Sequence, residues 1–317
     1  MATHGGAAEG AYKVNSLVLT NAVSPVEGKI VWDTARSLWN GFIFTGAIVL
    51  APIYFTWGAF LVFLLFSAVT LCTGHSVGFH RRLIHRSFKC SKRLEHFLVW
   101  MGTIVGIGGP LWTIRTHDTR DWSQRQPLCH DFLAHRQGLW RDAWYNLHCK
   151  ILLTHPPAFD PGPEIRNDSF YAFLEHTWML QQLPIAIVLY AMGGVPWLAW
   201  GVFVRVAACT TMHWFISYFA HTRGPQSWLV DEAGVQAHDV PLAAIPTFGE
   251  SWHNNHHAFP ASARHGLYPG QIDIGWHFIQ MLEALGLAWD VQVPGNLPPR
   301  KGITALAADA QSILMKR

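Results

Sequence analysis

The chain has 317 residues, half of them hydrophobic, and only 14% carry Asp, Glu, Lys or Arg, against roughly 25% in an ordinary soluble domain. A net charge of +3 without a long basic run gives no footing for nucleic acid. Five widely spaced cysteines form no CxxC pair, which argues against a disulfide framework or a zinc ribbon and for a reduced, cytosol-facing protein. Sixteen Trp and nineteen His complete a membrane-like composition with a heavy imidazole load.

Residues 1–36 carry Glu9, Lys13, Glu27, Lys29 and Asp33 and lack the basic-then-apolar order of a signal peptide; they read as a cytosolic N-terminal segment. From Ser37 to Phe79 there is no charged residue, and His75 is the single histidine. As one helix that run would be about 65 Å long, twice a hydrocarbon core. It therefore reads as two spans, at about 38–55 and 58–78, with a turn near Phe55 to Gly58. A second pair is expected at 180–192 and 196–220, with Gly193 to Pro196 as the turn. Arg205 lies near enough to that turn to snorkel to the far interface.

Both hairpins exit on one side, at His80 and His221. The Arg- and Lys-rich stretch 81–179 lies between them, so that side is expected to be cytoplasmic. The segment 96–112 is short and glycine-rich for a crossing, and reads as an interfacial or half-buried helix that either walls an acyl tunnel or merely packs. Arg81, Arg82, Arg86, Lys89, Lys92 and Arg93 form a basic patch suited to lipid phosphates, a CoA group, an acidic electron carrier or plain anchoring.

Histidines cluster just outside the spans: His80 and His85 in "HRRLIH", His117 in "HDTRD", and His253, His256 and His257 in "ESWHNNHH". In the last, i, i+3 and i+4 spacing places three imidazoles on one helix face, and neutral imidazole is the commonest side-chain ligand for iron, copper and zinc. His221 sits at the same level. His4, His96, His148, His155, His176, His238, His265 and His277 read as amphipathic anchors.

These motifs resemble the membrane-bound fatty acyl desaturases, the superfamily that includes stearoyl-CoA desaturases and bacterial acyl-lipid desaturases. The likeness covers roughly 38–290 and rests on "GHSVGFHRRLIHRSF", on "GESWHNNHHAFP" and on the order of four spans. It implies an all-α integral membrane protein: four transmembrane helices under a cytosolic helical cap that holds a histidine-box metal centre. It also implies two non-haem iron ions, with O2 as co-substrate. The expected ligands are His80, His85, His117, Asp121, His221, His253, His256 and His257. Here the chain departs from the family, whose second box is usually HxxHH. Arg120 and Asp121 stand at its last two positions; arginine offers no lone pair, whereas a carboxylate is a good ligand. His130, His135 or water remain candidates for the lost ligand, and Asp118 for orienting an imidazole.

The domain expected is 37–290, with 291–317 as a cytosolic tail. The expected substrate is an acyl lipid or acyl-CoA, with electrons from a separate donor such as ferredoxin and its reductase, at a bacterial inner membrane with the metals facing the cytoplasm. Hydroxylation, alkene-forming oxidative decarboxylation, and a non-catalytic metal-binding role are the alternatives.

Overall fold

The computed structural model describes residues 12–298 and 302–306; His4 and the outer parts of the terminal segments lie outside them. Side chains start the helices. Asp33 accepts from the Arg36 amide to begin α1 (Thr34–Ile53), and Thr56 accepts from the Ala59 amide to begin α2 (Trp57–Val69). The turn between them, at Tyr54 to Thr56, falls at the edge of the predicted one. α2 runs straight into a π-helix, Thr70–Ile84, which makes Trp57–Ile84 one 28-residue rod.

Ser91 caps α3 (Lys92–Ile104). Gly106, at φ 88°, then turns the chain into α4 (Pro110–Gln124), whose first-turn proline has no amide to leave orphaned. The segment 96–112 is thus two helices meeting at a glycine. α5 (Leu139–His148), the one-turn α6 (Pro163–Arg166) and α7 (Ser169–Thr177) follow. Glu175 of α7 accepts from the Leu111 and Trp112 amides at 2.9 and 3.1 Å, pinning the start of α4.

α8 (Gln182–Leu198), a second π-helical stretch (Ala199–Val204) and α9 (Arg205–Ala220) form a 39-residue helical run. Unbroken it would be about 58 Å long. Gly194, at φ 63° and ψ −155°, breaks it inside the predicted turn. Three helices, Thr34–Ile53, Trp57–Ile84 and Gln182–Ala220, are long and apolar enough to cross a membrane. Leu38, Ile48, Leu65, Ile187 and Met192 all point outward from them. This is a membrane protein.

Arg205 does not snorkel. It is fully buried, donating to the Gly201 and Ile104 carbonyls at 2.7 and 2.9 Å and to Gln182 Oε1 at 2.5 Å. An internal set of acceptors replaces the water it would otherwise need to reach. The rod and α3 touch backbone to backbone: a Cβ on Gly74 would lie 2.3 Å from Met101 C, and one on Gly78 2.4 Å from Leu98 O. Around this contact Val77, Leu98 and Ile279 form one core, and Phe79, Val99, Ile114 and Leu174 another.

The fold is helical but carries short antiparallel ladders that the periodicity did not announce. β1 (Tyr12–Val14), β2 (Leu17–Leu19) and β6 (Ala158–Phe159) form one. β3 (Ser24–Trp32) pairs with β5 (Cys149–His155) in another, and β4 (Lys89–Cys90) with β8 (Ala288–Trp289) in a third. β7 (Trp228–Val230) and β9 (Ile303–Ala305) make the last. α10 (His253–Ala258) and α11 (Ile274–Ala284) are the remaining α-helices among the described residues. All five cysteines are free.

Candidate metal centre

The first histidine pair owes its geometry to the π-helix. His85 donates its amide to the His80 carbonyl at 3.0 Å, a closure over five residues rather than four. The i, i+5 pair therefore shares a face, with ring centroids 4.7 Å apart. In an α-helix the same spacing would splay them.

His117 comes from α4, the helix that Glu175 pins. Its Nδ1 lies 3.1 Å from Asp118 Oδ1, and the other Asp118 oxygen accepts from the Ser16 amide at 3.0 Å. A carboxylate on one ring nitrogen fixes the tautomer and leaves the other free to ligate, so Asp118 orients an imidazole. The centroid of His117 lies 5.2 Å from that of His80 and 4.8 Å from that of His85.

α10 carries the third cluster, and the asparagines between its histidines anchor it. Asn254 accepts from the Ser227 and Trp228 amides at 2.8 and 2.9 Å and donates to the Trp228 and Ala237 carbonyls. Asn255 donates to His265 O and Gln271 Oε1, each at 2.9 Å. The three histidines do share a side of the helix, yet they serve two groups. His256 turns to His80 and His85, with centroids 4.5 and 4.6 Å away; His253 and His257 turn to His221, at 4.8 and 5.3 Å.

Two donor groups result: His80, His85, His117 and His256, and then His221, His253 and His257, each with its ligand atoms within 4.8 Å of one another. His221 is oriented by its Nδ1, which donates to the Ser217 carbonyl at 2.7 Å. Its Nε2 faces His253 Nε2 at 3.3 Å. Burial lowers the pKa of His253 to about 4, and holds those of His221, His256 and His257 well below the ordinary imidazole value. Neutral rings keep the lone pair a metal needs. His85 Nε2 and His256 Nδ1 are buried without a hydrogen-bond partner among the described residues, an arrangement a cation would satisfy. The residues fit a metal at each group.

Some expected ligands stand elsewhere. Asp121 accepts from Arg125 Nε at 3.0 Å and belongs to neither group. His130 accepts from the Phe132 amide through Nδ1. His135 has both nitrogens engaged: Nδ1 at 2.9 Å from Asp142 Oδ1, Nε2 at 2.9 Å from Ser217 Oγ. Of the two histidines named for the lost ligand, His135 is thus fully engaged elsewhere, and neither belongs to a donor group. Arg120 donates to Ser217 Oγ at 3.2 Å and to Asn146 Oδ1 at 2.7 Å, so this corner is a hydrogen-bonded lattice where the family's box has imidazoles.

Other residues enter that the motifs did not single out. His80, Glu250 and His265 form a third donor group. Glu250 pairs with His80 Nδ1 and accepts from Ser76 Oγ at 2.6 Å and Arg81 Nη1 at 2.7 Å. Burial alone would raise the Glu250 pKa; Arg81 and Ser76 outweigh it and hold the carboxyl below its usual range. His265 is buried, not an anchor, and Arg81 Nη2 lies 3.1 Å from its Nδ1. Arg81 itself is fully buried and also binds Asp273 at 2.8 Å. The basic patch is largely consumed internally: Arg82 pairs with Glu95, Lys92 with Glu95 and Asp168, Lys89 with Asp290, and Arg86 donates to the Pro161 carbonyl. The glutamate three residues before an HxxHH box was the available hint.

Against known proteins, the chain is 36% identical to an sn-1 stearoyl-lipid 9-desaturase of Anabaena variabilis, over 76% of this chain and 87% of that one. It belongs to the fatty acyl desaturase family. An acyl-CoA 5-desaturase of Anemone leveillei is 34% identical over 87% of this chain and 88% of its own. A palmitoyl-monogalactosyldiacylglycerol delta-7 desaturase of Arabidopsis thaliana is 31% identical over 93% and 80%. No family model matches the chain. As a fatty acyl desaturase the protein is an oxidoreductase of lipid metabolism, and its buried histidine clusters are what a metal-dependent member requires.

Proposed function

We propose that this desaturase places an internal double bond in a saturated acyl chain of a membrane lipid or acyl-CoA, using two iron ions. The first is held by His80, His85, His117 and His256, the second by His221, His253 and His257. With O2 and two electrons, such a pair supplies an oxidant that amino-acid side chains cannot make. Three imidazoles would hold the second ion; Asp121, which binds Arg125, lies outside both groups. The observation that carries the reading is the gathering of seven imidazoles into two donor groups, five of them lining a cavity whose other walls include Leu71, Phe79, Trp112, Met212 and Ile216.

The chain's own residues bind and orient. Asp118 and Glu250 set the rings of His117 and His80, and the Ser217 carbonyl sets His221. Apolar walls from the π-helix, α4 and α9 hold the chain and exclude water. The catalytic domain is 37–290. It has four crossings, the last two at about 180–192 and 196–220 on either side of Gly194, under a cap from 85–179 and 221–290. The arginine- and lysine-bearing side, with the metals, faces the cytoplasm of a bacterial inner membrane. Electrons come from a separate donor, such as ferredoxin with its reductase.

Expression in a bacterial host, beside His256→Ala, tests this through the fatty-acid profile of the lipids. A new positional isomer made only by the intact chain is expected. Products bearing oxygen, or shortened terminal alkenes, would replace desaturation with hydroxylation or decarboxylation. An unchanged profile from well-expressed, iron-loaded protein supplied with reduced ferredoxin would overturn it.

A further inference from the structure

In the same cavity two more histidines face each other, and neither belongs to a donor group. His75 lies on the π-helix, in the stripe Leu71, His75, Phe79, His80 that lines the cavity, and His213 lies on α9 in the stripe Cys209, His213, Ile216, Ser217. Their ring centroids are 4.9 Å apart, edge to face. Both rings line that space, and both keep accessible surface, His213 more than His75. Neither ring makes a hydrogen bond among the described residues.

A purely saturated chain has nothing to offer these rings. An imidazole inside a membrane span is costly to leave unsatisfied, and such residues mark function. A neutral imidazole carries one N–H donor and one lone-pair acceptor. A single hydroxyl answers both rings: it accepts from one N–H and donates to the lone pair of the other. A methylene answers neither. His75 precedes His80 by five residues and His213 precedes His221 by eight, so the pair stands roughly 7–12 Å beyond the metal donors along the helix axes.

We infer that the cavity selects an acyl chain bearing a hydroxyl group, held between His75 and His213 on the membrane side of the reacting carbons. This rests on the reading of the cavity as an acyl site and specifies its substrate.

The test uses the full-length, iron-loaded protein in detergent and measures equilibrium binding, which requires no turnover. The probes are stearoyl-CoA and stearoyl-phosphatidylcholine, each compared with isomers carrying one hydroxyl at successive carbons. Within a narrow range of positions, the hydroxyl should raise affinity about tenfold. His75→Leu and His213→Leu should each abolish that gain without weakening the binding of the plain chain, and His213→Gln should keep part of it. Equal affinity for plain and hydroxylated chains at every position overturns the inference and leaves the acyl reading standing. Failure of every chain to bind removes the acyl reading and this one with it. A gain that survives both leucine variants assigns the hydroxyl to other residues and also overturns the inference.

Discussion

Asp118 is the residue whose role follows most directly from its contacts, since it touches His117 and no other histidine of the two groups. Asp118→Asn keeps the shape but weakens the hold on the ring. Loss of such an outer carboxylate lowers metal affinity about 10–100-fold in characterised sites. Chelator competition should show that loss at the four-histidine group, with the three-histidine group unaffected. Arg120 makes the complementary case. Arg120→His returns an imidazole to the second box, and metal at the three-histidine group should then leave more slowly on dialysis; an unchanged rate would mean that the Ser217 and Asn146 lattice keeps the new ring away. At this scale the ligating histidines were legible because their spacing is local. Glu250, His265 and the burial of Arg81 were not. Arg81 meets Glu250 across 169 residues and Asp273 across 192, and nothing local to "HRR" separates a buried arginine from a surface one.

Among the elements, the π-helix explains why a pair five residues apart can share a metal, and hydrophobic periodicity does not distinguish it from α-helix. Its contact with α3 depends on two glycines that admit no Cβ. Gly78→Ala would drive a methyl into the Leu98 carbonyl, and overpacking of this kind costs about 1–3 kcal/mol. The variant should unfold at lower temperature and lose metal from the four-histidine group first, because His80 and His85 ride on the displaced helix. α7 offers a pH-dependent counterpart. Burial raises the Asp168 pKa, but Lys92 and His96, each 2.8 Å away, outweigh it and lower it to about 2. A depressed folded-state pKa contributes stability that is present above about pH 4 and lost as the pH falls toward 2. Asn is as good an N-cap as Asp, so Asp168→Asn isolates the ion pairs from the cap. Thermal unfolding between pH 5 and 2.5 should fall more steeply in the wild type than in the variant. The short β-ladders escaped sequence reading because β3 and β5 lie over a hundred residues apart and neither alternates cleanly.

For the molecule as a whole, the outer surface was more legible than the inner one. Apolar runs marked the crossing helices, and the turns fell near Tyr54 to Thr56 and at Gly194, where glycine, proline and aromatic residues had placed them. Ile48, 73% exposed, faces the surrounding hydrocarbon. Ile48→Arg should impair insertion by about 2.5–3.5 kcal/mol, read as a reduced membrane-integrated fraction, whereas Arg205, equally charged, is tolerated because acceptors surround it.

The division of α10 has a consequence for assembly. His256 and His257 are neighbours along the backbone, yet they report to different donor groups. Asn254 and Asn255 already fix the short segment 253–258, so an ion captured on one side adds no ordering that the other side needs. Loading should accordingly be independent at the two groups: at substoichiometric iron half-filled molecules are populated, and each group fills along a hyperbolic rather than a sigmoidal curve.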